Sequence, residues 1–456
     1  MEARAPSTPA VPEESEPKLF PELFPDQSGP LRELLIQSWN LSYNISRKYP
    51  GHEIRWAFVY EAVISLRDEG IKLYPKEPLV YDQLAYLFEH KIGHNLDAHH
   101  RYYKFRWMQA MGNVLWKDLE ASHQARGVPD FDALINPDPA NTNLVARVKR
   151  LSQEYKLDPI EMKAIHQEYG RAHNQKGELM LDKKGQPINC LDWRMPETHS
   201  LYWAKLGLKR CSSSSGLDKE LFKLEKKIYV AMLQAFNRGR MNTPSGRTID
   251  LARYFSAGTL SSPNLDVGGT VHLAYLAMSK RAKASEEKDL NGGVAEIGHM
   301  HFLRRLVEWL YFYNREQEAM EWLQVAVEMY PTKMTFFPGY NPKTKTYHLD
   351  QIVEEKLADN MKRGTDGNMP ALMVGTLMKH YIYLAEGNEE KAKGYFDMAQ
   401  RVHQKYSDKF KNDAGRMDQW RIARLRAFLI EEDSEVTDAL RAKLGLGKDE
   451  LPEVPR

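Results

Sequence analysis

The sequence predicts an all-α chain: helical hairpin repeats stacked into a superhelical, solenoid-like array that irregular insertions interrupt. Two spacings and the composition predict it. Tyr383, Gly387, Ala392, Phe396 and Ala399 fall at Y-x3-G-x4-A-x3-F-x2-A, a glycine-turned helical hairpin. The glycine lets the chain turn, the small alanines let two helices approach, and the aromatic fills the gap between them. Gly93 and Ala98 repeat that turn spacing, behind Tyr81, Leu84, Ala85 and Phe88 at the intervals of a first repeat helix. Hydrophobic residues at 42% supply enough apolar material for a core.

Composition narrows the function classes. The 64 basic and 62 acidic residues leave a formal charge of +2, without the basic excess typical of a nucleic-acid binder. Cys190 and Cys211 are the two cysteines, with no C-x-x-C or zinc spacing, so a disulfide framework is excluded and a reducing compartment preferred. There is no long apolar run, and residues 1–30 lack the basic start and apolar centre of a signal peptide. The chain as given is expected to be cytoplasmic.

In order, residues 1–30 hold seven prolines with Glu13, Glu14 and Glu16, and read as a disordered leader. Residues 31–237 form the N-terminal helical repeat region. Ile64, Ile71 and Leu73 recur at helical intervals, Pro75 closes that helix, and Pro78 opens the next, where its missing N–H costs nothing. Within residues 125–150 the stretch 127–143 reads as loop and turn, helix resumes at Leu144–Tyr155, and Asp158-Pro159-Ile160-Glu161 reads as a helix start. The insertion 171–190 reads as a surface hairpin around Asp182–Gly185. Pro196 begins a helix in which Trp203, Leu206 and Gly207 fit the repeat signature, and a long amphipathic helix starts at Asp218. Residues 238–298 are expected to be an irregular excursion with short helices, its least regular part, 238–270, carrying one at Ile249–Phe255. Residues 299–430 form the C-terminal repeat region, in which Leu303, Leu306 and Val307 precede a turn near Asn314, and Ala319, Leu323 and Ala326 follow it. Phe336–His348 is a second excursion, Met417–Ile430 a capping helix, and 431–456 a charged tail.

These spacings resemble tetratricopeptide repeats, helix-turn-helix units of roughly 34 residues. More narrowly, WNLSYNIS, RDEGIKLYPKEPLVYDQLAYLFEHKIG, Asp97 with His100-Arg101-Tyr102-Tyr103-Lys104, and LDWRMPETHSLYWAKLGL resemble a large uncharacterised bacterial family. Its members usually begin with a membrane-spanning helix followed by a repeat domain. The resemblance implies a helical repeat scaffold, with peripheral association with a membrane complex as a further expectation. The sequence given departs from the pattern in starting with the proline-rich leader and in carrying the Arg171–Cys190 insertion. No catalytic residue comes across with the resemblance.

In such repeats, residues between the packing positions of the first helix line a concave groove. Carried onto this sequence, the groove candidates are Asp82, Tyr86 and Glu89; Arg304, Glu308 and Tyr311; and Leu377 and Tyr381. Charge mixed with aromatics suits an extended protein or peptide partner with aromatic anchors, the competing reading being ordinary solvated surface. A metal alternative uses the turn His90, His94, Asp97 and His100, since imidazoles four apart share a helix face and zinc or iron takes imidazole with carboxylate. Against it, the residues sit in an inter-helix turn, and Gly93 can end the helix before His94. His299 and His301, two apart, point to different sides. Glu197 and His199 suggest acid–base chemistry, but a first-turn glutamate is expected from the helix dipole alone. Arg101, Lys104 and Arg106 among tyrosines and Trp107 suit either a single nucleic-acid strand or a buried aromatic seam, and the balanced charge favours the seam. The phosphate-loop, dinucleotide, zinc-protease and nucleophile-elbow motifs are absent, and Gly445–Lys448 has no strand before it. The expectation is therefore a non-enzymatic scaffold without cofactor, binding protein or peptide and not nucleic acid.

Overall fold

The computed structural model describes residues 28–94, 96–118, 121–122, 125–212, 217–241, 261–284, 292–313, 315–336, 340–341, 343–344, 346–348, 369–410 and 441–447. Helix dominates these residues, and strand is confined to two-residue pieces. The all-α expectation holds. The chain divides into two compact units, one reaching Met241 and one running from Asn242, with His173–Glu178 counted in the second. No helix among the described residues is long and apolar enough to cross a membrane.

The first unit opens with three helices, α1 (Gly29–Trp39), α2 (His52–Ile64) and α3 (Pro78–Tyr86), followed by α4 (His100–Leu115). Pro30 and Pro78 sit in first turns, where a lost N–H leaves nothing unpaired, and Glu77 caps α3 by accepting from Leu79 N at 3.2 Å. Each of α1 to α3 then widens into a π turn, at Asn40–Ile45, Ser65–Gly70 and Leu87–Ile92. The i→i+5 bonds that close them run from the amides of Ser46, Ile71 and Gly93 to the carbonyls of Leu41, Leu66 and Phe88. Such turns concentrate at functional sites because they re-aim the side chains they carry.

Short helices α5 (Phe131–Ile135), α6 (Thr142–Gln153) and α7 (Pro159–Tyr169) follow, the last capped by Asp158 through Ile160 N at 2.9 Å. The 171–190 insertion pairs Arg171 with Asn189 and Leu181 with Pro187 around the Asp182–Gly185 turn. Next come α8 (Pro196–Cys211) and α9 (Asp218–Arg238), which pack on each other and on α3. The segment before α8 is pinned inside the unit. Asp192 takes the backbone and side chain of Arg194, His199 Nε2 donates to the Trp193 carbonyl at 2.9 Å, and Trp193 Nε1 donates to His166 Nδ1 at 3.3 Å. Phe58, Tyr81, Leu84, Phe88, Met108, Trp193 and Phe236 of this unit are fully or almost fully buried. Each such apolar side chain contributes about 1.5–3 kcal/mol.

In the second unit, α10 (Gly268–Ala284) precedes two hairpins, α11 (Gly292–Phe312) with α12 (Glu316–Met329), and α13 (Met369–Ala385) with α14 (Glu389–Phe410). Helix α11 also packs on α13. Gly387 turns the last hairpin at φ +76°, and Asn388 N returns to the Tyr383 carbonyl at 2.9 Å, a Schellman closure. A two-strand hairpin, β1 (Tyr340–Asn341) and β2 (Thr346–Tyr347), lies in the expected excursion.

The region read as irregular, 238–298, contains the whole of α10, and α11 starts inside it at Gly292. Gly268 and Gly269 look like breakers, yet they open a helix. A Cβ on Gly268 would stand 2.9 Å from Leu306 Cδ1, so glycine is there for close approach. Of the expected leader 1–30, residues 1–27 lie outside the described residues, as do the short helix 249–255 and the cap 417–430, while Gly29 and Pro30 already belong to α1.

Gly207 of α8 has the same role against α3. A Cβ there would lie 2.6 Å from Tyr81 Cβ and 3.0 Å from Leu224 Cδ1. Gly207→Ala should therefore push α8 off α3 and cost about 1–3 kcal/mol in urea unfolding; an unchanged midpoint would show that the two helices tolerate separation.

Candidate functional site

A row of stacked rings runs across the first unit from α1 to the turn after α3. Trp39 and Tyr43 stack at 4.4 Å between centroids, Trp39 and Tyr86 at 5.8 Å, Tyr86 and His90 at 4.7 Å, and His90 lies 5.8 Å from His94. All five side chains are half-buried, each presenting part of its surface to solvent. The row is cross-tied. Tyr43 Oη and His90 Nδ1 are 3.0 Å apart, and Lys227 of α9 sits over the Tyr86 ring at 4.6 Å while facing Asp82 at 3.7 Å. Lys91 lies under the row, 5.2 Å from the Tyr43 ring and 5.7 Å from that of Tyr103.

Beneath the stripe is a buried charge network. Glu197, in the first turn of α8 and wholly buried, accepts from Arg238 Nε at 2.6 Å. Arg238 Nη2 donates to the Glu89 carbonyl at 2.7 Å, and the same group lies 4.0 Å from the Glu89 carboxylate. Gly93 is the residue this arrangement requires, since a Cβ there would meet Glu197 Oε1 at 2.6 Å. Lys104 is buried close by, its ammonium 3.4 Å from His100 Nδ1. Burial and the Arg238 charge depress the Lys104 ammonium, with Glu197 opposing them. Burial raises the Glu197 carboxyl, against Arg238 and Lys104. Burial likewise raises Glu89.

The imidazoles of the stripe are neutral. Burial, then Arg238, Lys227 and Lys91, lower His90 to about 4; burial, Arg238, His90 and Lys104 lower His94 to about 3. Apart from burial and the neighbouring imidazole, the groups that lower these two histidines are Arg238, Lys227, Lys91 and Lys104.

The structure gathers part of the expected groove. Asp82 and Tyr86 are half-exposed on the stripe, whereas Glu89 is buried against Arg238. Arg304 is half-buried and pairs with the buried Glu308 at 3.0 Å. Tyr311 is buried with its hydroxyl 3.0 Å from that of Tyr395, Leu377 is fully buried, and Tyr381 is 2% exposed. Trp39, Tyr43, Lys227 and Arg238 were not singled out by the sequence; the WNLSYN spacing of Trp39 and Tyr43 was the available signal.

Asp97 is taken by Lys91 at 2.6 Å, by His99 N at 2.9 Å and by Arg55 at 3.5 Å, and these outweigh burial to hold its carboxyl low. His90 faces Tyr43 and His100 faces Lys104. Among the described residues no three His, Cys, Asp or Glu side chains form a group able to hold a metal ion.

The second unit holds a separate polar chain. His272 Nδ1 and His299 Nε2 are 3.0 Å apart, and His299 Nδ1 is 2.8 Å from Tyr330 Oη, with Tyr275 stacked on His299 at 3.8 Å. With His299 neutral, one of its ring nitrogens donates and the other accepts, so donation runs in one direction along the three groups. Burial lowers His272 to about 4, and burial with His272 lowers His299 to about 2. Comparison with family models, with curated proteins and with solved structures gives no match.

Two outcomes follow from the first unit's interior. Arg238→Met strands Glu197 and should cost about 3–5 kcal/mol, which Glu197→Gln in the same chain should largely restore. Additive losses in urea unfolding would show that the pair is not coupled. His199, wholly buried, falls from 6.5 to about 4 mainly through burial. Above pH 6.5 both folded and unfolded chains carry it neutral. Between pH 6.5 and 4 only the unfolded chain takes the proton, so stability falls with pH. Relative to His199→Gln, the wild type should lose about 3 kcal/mol across that window, and parallel pH profiles would refute the assignment.

Proposed function

We propose that this chain is a non-enzymatic helical-repeat scaffold that binds an extended protein or peptide segment, with the Trp39–Tyr43–Tyr86–His90–His94 stripe as its contact face. The stripe is the observation that carries the reading. Rings locked by stacking lose little entropy on binding, and each pairs an apolar face with a polar edge, the usual character of interface hot spots. The buried network below fixes their positions from three helices. Successive hairpins α8/α9, α11/α12 and α13/α14 support a tetratricopeptide-like arrangement within each unit. Asp82 and Tyr86, read as groove positions from the spacing, lie on this face. The reading involves no cofactor and no nucleic acid, and leaves peripheral attachment to a membrane complex as a role for the partner.

The test is cross-linked capture from the native host with wild type, Trp39→Ala and Tyr86→Ala. Loss of a central aromatic anchor costs about 2 kcal/mol or more, roughly thirty-fold in affinity. Captured partners should therefore disappear with either substitution while helical circular dichroism is retained. Partners held equally by all three chains would place binding elsewhere.

A further inference from the structure

Lys104 stands apart from the other buried lysines. Among the described residues, Lys91 and Lys379 are buried with a carboxylate in hand, Asp97 at 2.6 Å and Glu316 at 2.5 Å. Lys104 is 3% exposed and meets an imidazole instead, His100 Nδ1 at 3.4 Å, with no described carboxylate at ion-pair distance. A buried ammonium without a counter-ion is costly, and the group relieves the cost by releasing its proton. Burial and then Arg238 lower Lys104 to about 7, Glu197 opposing them and Arg101 adding to them. A nucleophilic free amine is therefore present at neutral pH.

The surrounding charges select what such an amine can hold. Arg238 is engaged by Glu197 and Glu89, yet its charge still bears on the amine, as does that of Arg101. A carbonyl compound would leave an iminium, a cation that both guanidinium groups oppose as they oppose the ammonium. Carbon dioxide leaves a carbamate, an anion that they favour, and it is small and uncharged. Trp107 supplies a second, independent sign. It lies three residues on from Lys104, on the same face of α4, is 2% exposed, and its indole Nε1 has no acceptor among the described residues. A buried donor without an acceptor calls for an explanation, and a carbamate oxygen supplies one.

We infer that Lys104 is a carbon dioxide site, its amine adding to the gas to form a carbamate on the inner face of α4. The nitrogen lone pair makes the new C–N bond while one C–O π pair moves onto oxygen. The proton lost from nitrogen leaves through His100 Nδ1 to solvent, so amine and carbon dioxide give carbamate and one proton. No further reactant is consumed. The reaction places a reversible negative charge beneath the His94 end of the aromatic row, where Lys104 already acts on that imidazole. The site does not depend on the row being the contact face.

The experiment equilibrates the full chain with isotopically labelled bicarbonate at about pH 8, reads the carbamate carbon by NMR, and traps it with triethyloxonium before peptide mass spectrometry. An ordinary lysine is below about 1% free amine at that pH, so label should concentrate on Lys104. At constant dissolved carbon dioxide the label should fall several-fold by about pH 6, as the amine takes up a proton. It should vanish in Lys104→Arg and drop several-fold in Trp107→Phe, which keeps a ring but removes the donor. Mapping the wild-type peptides locates the label without relying on the folding of either variant. Lys104 left bare at saturating bicarbonate, label spread evenly over the lysines, or occupancy indifferent to both pH and Trp107→Phe would each overturn the assignment.

Discussion

The Glu197–Arg238 pair is the contact on which the first unit's aromatic row depends. Glu197 is wholly buried and Arg238 half-buried, and taking two charges from water is costly unless their remaining hydrogen-bonding groups are met. Arg238 meets this by reaching three places at once: Glu197 on α8, Gln234 on its own helix, and the Glu89 carbonyl inside the π turn after α3. The guanidinium thus substitutes for part of the hydrogen bonding that a widened helix end cannot supply itself. Its planar fork suits this task, and lysine would not replace it.

That dependence explains how the stripe is held. Tyr86 and His90 are separated by the start of the π turn, and the turn keeps its shape only while Glu89 O and Gly93 N are engaged. Glu197 packs directly on Gly93, which is why a residue with a side chain cannot stand there. Lys227, from the helix that carries Arg238, lies over the Tyr86 ring and faces Asp82, both on α3. One helix therefore supports the row from below and from the side. A ring system fixed in this way can bind without first being ordered.

Much of this was legible in the sequence, and the missing parts have definite causes. The helix starts at Pro78, Asp158 and Pro196 could be read because capping and proline chemistry are local. The Gly387 turn was equally plain, since its positive φ demands glycine. The helix after Gly268 was hidden because a glycine required by a neighbouring Leu306 looks the same as a glycine that breaks a helix. The chain His272–His299–Tyr330 could not be seen at all, as its members meet only through tertiary packing. Burial of Leu377 and Tyr381 has a similar origin: the inner face of a first repeat helix lines a groove only where no neighbouring element covers it.

The groove expectation in the first unit differs from the structure by one residue, and the π turn accounts for that shift. A helical wheel drawn through Asp82, Tyr86 and Glu89 assumes an unbroken α-helix, in which i+3 and i+4 share a face. From Leu87 the chain takes more residues per turn, so i+4 stays aligned while i+3 falls behind. His90 therefore continues the row after Tyr86, and Glu89 turns inward to Arg238. The same widening recurs at Asn40–Ile45, where Tyr43, four residues after Trp39, continues the row in α1. Two neighbouring helices make the same departure from α geometry at the level where their aromatic residues meet. The π turns thus carry part of the aromatic row, Tyr43 after α1 and His90 after α3.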